Sequence, residues 1–350
     1  MKAIIYHEFG DVDVLRYEDV PLPETGDDEV LVRVRSVSLN HLDHLQRKGP
    51  AWLPAFSLPH IAGMDVAGEV EWVGQRVSTV REGDRVLINP SINCKHCSWC
   101  VKGQDNYCPS LKVLGGNVNG GFAEFAKAPA SHVYRLSDRL SYDAAACIPT
   151  VYVTAWHALI DRGHLRIGED VLIHAAGSGL GTAAIQIAKS CGARVIATAG
   201  SDAKLKKARE LGADVVINYN REDVVGVVKE VTDGKGVEVV LEHVGPATWD
   251  RSLLSLTPRG RLIHCGATTG MTVQINLPYA YHFGIQIIGS DGFTIAEFEA
   301  VLSLFNHGKF QPVIDTIYPL EQAAEAQRRM IDRNLFGKII LHPDGTEHPL

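Results

Sequence analysis

The sequence predicts an α/β chain in two parts: a barrel-like, all-β region, then a parallel sheet wound on both faces by helices. Three observations predict this. The chain has 350 residues, more than most single cores hold, so two domains are the starting expectation. Up to about Thr154 the sequence reads mostly as short strands joined by Gly and Pro turns. Beyond Thr154, strand-like and helix-like patterns alternate.

In the first part, VLVRVRSV (Val30–Val37) alternates Val with Leu or Arg, the period-two pattern of a half-buried strand. AGEVEWVG and GDRVLI follow, with Gly at their ends. In the second part DVLIHAAG is a buried strand, and TAAIQIAKSCG a helix that opens at Thr182. RVIATAG and DAKLKKARELG repeat the pair, and VVIN, REDVVGVVKEVT and VEVVLEHVG continue it. SLLSLT, RLIHCG and IQIIGS complete the alternation. A last helix, IAEFEAVLSLFNHG, and the strand GKIILH are expected to return to the first domain, with a frayed tail PDGTEHPL. The expected limits are 1–154 for the β-rich domain, with a cysteine lobe at about 90–116, then 155–290 for the wound sheet and 291–350 for the returning segment.

Composition narrows the function. Hydrophobic residues at 45% and charged residues at 21% describe an ordinary globular chain, neither disordered nor fibrous. A net charge of -7 argues against a generic nucleic-acid partner. The chain has no long uncharged apolar run that would span a membrane. MKAIIYHEFG has no apolar core or cleavage site of a signal peptide, so a cytoplasmic location is expected. Neither an internal repeat nor a low-complexity segment is present.

The cysteines are unevenly spread. Cys147, Cys191 and Cys265 sit singly in apolar stretches, as small buried hydrophobes do. Cys94, Cys97, Cys100 and Cys108 crowd into one segment, a metal-site pattern rather than a disulfide framework. Four thiolates close a tetrahedron around one structural zinc and leave no position for substrate. The lobe has too few apolar residues for a core of its own, so the metal would replace one. An iron–sulfur centre and a redox thiol cluster are the competing readings, and His96 is read as an exposed loop residue.

A glycine loop follows the first strand of the second part. Gly177, Ser178, Gly179, Leu180 and Gly181 lie between a strand and a helix, where glycines let the backbone approach a pyrophosphate and the helix N-terminus attracts it. The bland alternative is a simple strand–helix turn. At the end of the next strand an NAD enzyme usually carries an acidic residue, about twenty residues beyond the glycines. Ala199 stands there instead, followed by Ser201 and Lys204. The missing carboxylate favours NADP(H), with NAD(H) as the alternative; Ser201 and Asp202 could equally cap the next helix.

Together these motifs resemble the medium-chain dehydrogenase/reductase superfamily over essentially the full chain. The resemblance rests on LPHIAGMDVAGEVEWVG before the cysteine lobe, Thr154-Ala155-Trp156 after it, and AAGSGLG opening the wound sheet. It implies a GroES-like β-barrel catalytic domain, a Rossmann domain, a cleft between them for nicotinamide and substrate, and a homodimer or homotetramer joined near Ile285–Ser290. The zinc alcohol dehydrogenases of this superfamily hold a catalytic zinc with Cys, His and Cys. Here Asn40, Met64 of Gly63-Met64-Asp65, and Thr150 stand at those places. His41, His44 and His60 are near enough in sequence for a rebuilt site to be conceivable. SLNHLD and GMD resemble instead the quinone oxidoreductase and enoyl reductase branch, which works without a catalytic metal, although most of its members lack the cysteine lobe. In that branch the counterparts of Lys204 and Tyr219 contact the 2′-phosphate.

The expected activity is NADP(H)-dependent hydride transfer to an activated alkene or quinone, with a hydrogen-bond donor stabilising the developing oxyanion. Asn40 is the leading donor, near the nicotinamide amide, with Tyr152 a second candidate and His41 or His44 possible proton donors. Asp43 is read as fixing the loop by an internal hydrogen bond. The cofactor set is Thr154, the residues 177–181, Ser201, Lys204, Tyr219, Gly266 and Lys338. Two alternatives stand: an alcohol dehydrogenase with a rearranged zinc site, and a non-catalytic NADP(H)-binding redox sensor.

Overall fold

A computed structural model describes residues 1–49 and 57–343. Apart from Pro343, the tail expected to fray lies outside the described residues. The chain divides into two compact units, one of Met1–Thr150 with Phe293–Leu350, the other of Val151–Gly292.

The first unit is built around the strand Glu29–Ser38 in a seven-stranded sheet. Val30, Val32 and Val34 turn into the core at 2% exposure or less. Each contributes roughly 1.5–3 kcal/mol by leaving water. On the other face Arg33 and Arg35 reach Glu71 and Glu69 on the neighbouring strand Asp65–Val73. The alternation stops at the C-terminal end of the strand. Ser36, Val37 and Ser38 are all fully buried there, because the helix Tyr142–Ala146 and the strand Lys338–His342 close over this end. In register, Ser38 faces Asp65 on one side and Ile340 on the other. The sheet thus gathers polar residues from three distant segments into its interior.

The second unit is a six-stranded parallel sheet. Its order is Val215–Asn218, Arg194–Ala199, Asp170–Ile173, Val237–Glu242, Leu256–His264 and Gln286–Gly289. This is the Rossmann order, and the reversal beside Asp170–Ile173 directs ligands to the carboxyl ends of the strands. Val171, Leu172 and Ile173 are fully buried, as expected for a central strand covered on both faces. Between the two sheets in sequence, Ile148–Val153 and His157–Arg162 are wound as wide π turns around Thr154–Trp156. No helix among the described residues is long and apolar enough to cross a membrane.

Candidate active site and cysteine centre

The short helix Ser98–Val101 and the turn Asp105–Tyr107 bring the four clustered cysteines together. Their sulfurs all lie within 4.8 Å of one another. Cys97 Sγ stands 3.5 Å from Cys100 Sγ, and Cys94 Sγ 3.9 Å from Cys100 Sγ. A tetrahedron with metal–sulfur bonds of about 2.3 Å has edges of about 3.8 Å, so the spacing fits a four-thiolate zinc site. Backbone N–H groups already serve the sulfurs as they would serve thiolates. Cys97 N–H donates to Cys94 Sγ and Cys94 N–H to Cys108 Sγ. Such donors, chiefly from His96 and Cys97, bring the Cys94 thiol down to about 6. His96 is exposed. Beneath the lobe, the buried Asn93 donates through its amide to Asp105 and through its backbone N–H to His132 Nε2.

At the carboxyl end of the parallel sheet, the helix Gly179–Ser190 begins three residues earlier than the sequence suggested. Ser178 caps it, accepting from Gly181 N–H at 2.9 Å, which draws Gly179 and Leu180 into the first turn. Gly181 is required by close approach, since a Cβ there would lie 2.4 Å from the Ala175 carbonyl oxygen. A Cβ at Gly266 would stand 2.8 Å from the His243 carbonyl oxygen. Glu242, fully buried, holds the neighbouring loop by accepting from the N–H groups of Val244 and Gly245 and the hydroxyls of Thr248 and Ser252. The sequence reading missed this carboxylate, whose only sequence signal is its place at the end of a strand.

Ala199 ends the second strand with no carboxylate beside it. Ser201 caps the helix Asp202–Glu210, so the capping role weighed for it is realised. The Tyr219 ring lies against Gly200, where an added Cβ would come within 2.7 Å of its hydroxyl. Tyr219 and Ser201 thus lie beside Gly200, and Lys204 follows in the first helical turn, its backbone N–H donating to Ser201 Oγ. Arg221, two residues beyond Tyr219, joins them by pairing with Asp202, and sequence reasoning did not single it out. Thr154 lies half-buried at the start of its helical turn.

Asn40, Asp65 and Thr150 converge inside the first unit. Asp65, fully buried, accepts at Oδ1 from Thr150 N–H (3.0 Å) and Oγ (2.6 Å). Its Oδ2 accepts from Asn40 Nδ2 (2.9 Å), Ser38 Oγ (3.0 Å) and Lys338 Nζ (3.3 Å). Lys338 also donates to the Leu39 carbonyl and Asn40 Oδ1, at 2.6 and 2.7 Å. Asp43 fixes the loop, accepting from the backbone N–H groups of Asn40 and Gly63. Burial raises the Asp43 carboxyl to about 7.

Two assignments need correction. Lys338 was placed with the cofactor, yet it is 4% exposed and its three ammonium protons have three acceptors within the first unit. It supports Asn40 and Asp65. Tyr152 was a second candidate donor, but the π-wound segment turns it inward to 1% exposure, where its hydroxyl accepts from Gln186. It is a core residue. His41 remains exposed, at the first position of the helix His41–Arg47. No group of three close metal-binding side chains among the described residues includes His41, His44 or His60.

Comparison with known proteins agrees with this architecture. A zinc-binding dehydrogenase model matches residues 179–307, and an alcohol dehydrogenase GroES-like domain model matches residues 26–138. A quinone oxidoreductase from Pongo abelii is 31% identical, over 97% of this chain and 97% of its own length. An acryloyl-coenzyme A reductase from Metallosphaera sedula is 32% identical, over 97% of this chain and 99% of its own. A crystal structure of an NAD-dependent alcohol dehydrogenase superposes with a TM-score of 0.94 at 38% identity, covering 98% of this chain and 99% of that one. With full-length relatives at this identity and both domain types matched in order, the chain belongs to the medium-chain dehydrogenase/reductase superfamily.

Proposed function

We propose that this protein reduces an activated alkene or a quinone with NADPH, using no catalytic metal, and that its four-cysteine lobe holds one structural zinc. The observation that carries the reading is the Asn40–Asp65–Thr150–Lys338 cluster. At the places of three zinc ligands stand an amide, a thioether and a hydroxyl, and an ammonium already neutralises the nearby carboxylate. This donor set suits hydrogen bonding, not zinc.

NADPH, when bound, supplies the hydride. In an α,β-unsaturated carbonyl the hydride adds at the β-carbon, the electron pair moves to the carbonyl oxygen, and a proton is then taken up at the α-carbon. Asn40 donates to the developing oxyanion, with one amide proton held by Asp65 and the other left to do this. Removing one such donor typically costs about 10²–10³ in rate. The proton comes from water or from His41. A screen of NADPH oxidation against enones, enoyl thioesters, quinones and aldehydes tests the proposal. Turnover of aldehydes alone would overturn it.

The nucleotide preference rests on Ala199, Ser201, Lys204 and Tyr219, although the structural relative above is described as NAD-dependent. That relative's name also favours a second reading, an alcohol dehydrogenase with a rearranged zinc site. Elemental analysis separates the two, since the second requires two zinc ions per chain. Among the described residues the edge strand Gln286–Gly289 pairs only with Leu256–His264, and Leu277, Tyr281 and Phe283 are exposed close by in sequence. Such an edge needs covering, which supports a homodimer or larger assembly.

A further inference from the structure

We infer that Lys338 and Asp65 act as a two-sided lock that fixes which way the Asn40 side-chain amide points; this rests on the proposed role of Asn40 as the oxyanion donor. An amide has two nearly isosteric ends, one that only accepts and one that only donates. On one side of Asn40 stands the Lys338 ammonium at 2.7 Å, which can only donate, so the amide oxygen must face it. On the other side stands the Asp65 carboxylate at 2.9 Å, already receiving Thr150, Ser38 and Lys338, so the amide nitrogen must face it. Turning the amide over would set N–H against ammonium and oxygen against carboxylate, two repulsions in a site only 6% exposed at Asn40.

The backbone of Asn40 is pinned too. Its N–H donates to Asp43 Oδ2 at 2.7 Å and its carbonyl accepts from Asp43 N–H at 3.1 Å. With backbone and amide both fixed, the second Nδ2 proton has a single direction and no acceptor among the described residues. Lys338 and Asp65 are thus positioning residues. They do not touch the reacting atoms; they hold one N–H in place before substrate arrives, so no reorientation is needed in the transition state.

The test is a double-mutant cycle with a spectroscopic readout. Asn40→Ala, Lys338→Met, Lys338→Arg and the pair Asn40→Ala/Lys338→Met are assayed with NADPH and both 2-cyclohexen-1-one and 1,4-benzoquinone. Lys338→Met/Asp65→Asn, which keeps the interior neutral, controls for folding. Asn40→Ala is expected to lower kcat about a hundredfold. Lys338→Met is expected to lower kcat about tenfold with little change in the KM for NADPH, and Lys338→Arg to recover most of it. Lys338→Met should cost nothing further once Asn40 is Ala. In ¹⁵N-labelled protein, the Asn40 side-chain amide pair, identified by its loss in Asn40→Ala, should give proton shifts displaced from free-amide values by the Asp65 carboxylate, and that displacement should shrink, with broadening, in Lys338→Met. Full activity in Asn40→Ala would sink the donor reading and leave the amide spectra to decide the lock. A loss in Lys338→Met that multiplies with that of Asn40→Ala, or an unchanged amide pair in Lys338→Met, would overturn the lock itself.

Discussion

Lys204→Ala should weaken NADPH binding about tenfold or more while leaving NADH binding nearly unchanged. The residue sits in the first turn of the helix capped by Ser201, half-buried, beside the loop that Tyr219 covers. A charge-assisted contact to phosphate is worth roughly 1.5–3 kcal/mol, about ten- to a hundredfold. Solvent screening at this partly open site favours the lower end of that range. Arg221→Ala should act in the same direction, because it leaves the Asp202 carboxylate unneutralised near the same loop. Ala199→Asp should invert the preference by adding a ribose acceptor and a phosphate repellent, though Ala199 is only 2% exposed, so a thermal melt must accompany it. Fluorescence titration of both nucleotides at low and high salt is the assay, and salt should weaken NADPH more than NADH. Equal loss of both nucleotides in Lys204→Ala would refute the reasoning and assign the lysine to the pyrophosphate or to the fold.

Elemental analysis should find one zinc per chain; Cys100→Ser should release it and lower the melting temperature, whereas two zincs in active protein would contradict the metal-free chemistry. Acid should destabilise the fold through His132 and His174, both buried and lowered to about 4. Because their folded pKa lies below the unfolded 6.5, the stability they confer is complete above 6.5 and is lost as pH falls toward 4, on the order of 3 kcal/mol each. Urea titrations across that window should show less acid sensitivity in His132→Gln, and an unchanged slope would count against His132. Light scattering at micromolar concentration should give a dimer or larger, and Tyr281→Lys, at an exposed position before the edge strand, should shift it toward monomer; a monomeric wild type would end the edge-strand proposal.

What the sequence made legible was local. Alternation marked Glu29–Ser38, and the strand–glycine–helix order marked the loop at 177–181, because each signal lies within a few neighbouring residues. The cysteine spacing marked the cluster at 94–108 for the same reason. The role of Lys338 was not legible, since it acts on a residue 298 positions away through a strand pairing that only the folded sheet creates. From the sequence alone it was assigned to the cofactor set instead. Tyr152 misled because nearness in sequence to Thr154 does not fix which way a side chain points in a segment wound in π turns. The early helix start came from Ser178, whose capping competes with the glycines for the same few residues.

The cluster around Asp65 also predicts what it would take to bring a catalytic zinc back. Placing Cys at 40, His at 64 and Cys at 150 supplies the ligands, yet the Lys338 ammonium would still stand beside the Asp65 carboxylate, which residues 40 and 150 contact. A dication about 4 Å from a monocation is repelled by roughly 8 kcal/mol at an effective dielectric of 20. The single carboxylate of Asp65 offsets part of this, but it is shared between the two cations. Asn40→Cys/Met64→His/Thr150→Cys should therefore retain one zinc per chain, and adding Lys338→Met should raise the count to two. Zinc content by mass spectrometry after dialysis reads the difference, with the cysteine-lobe metal as internal standard. A second zinc bound with Lys338 still present would show that the ammonium is no barrier, and that ligand identity alone separates this chain from its zinc-dependent relatives.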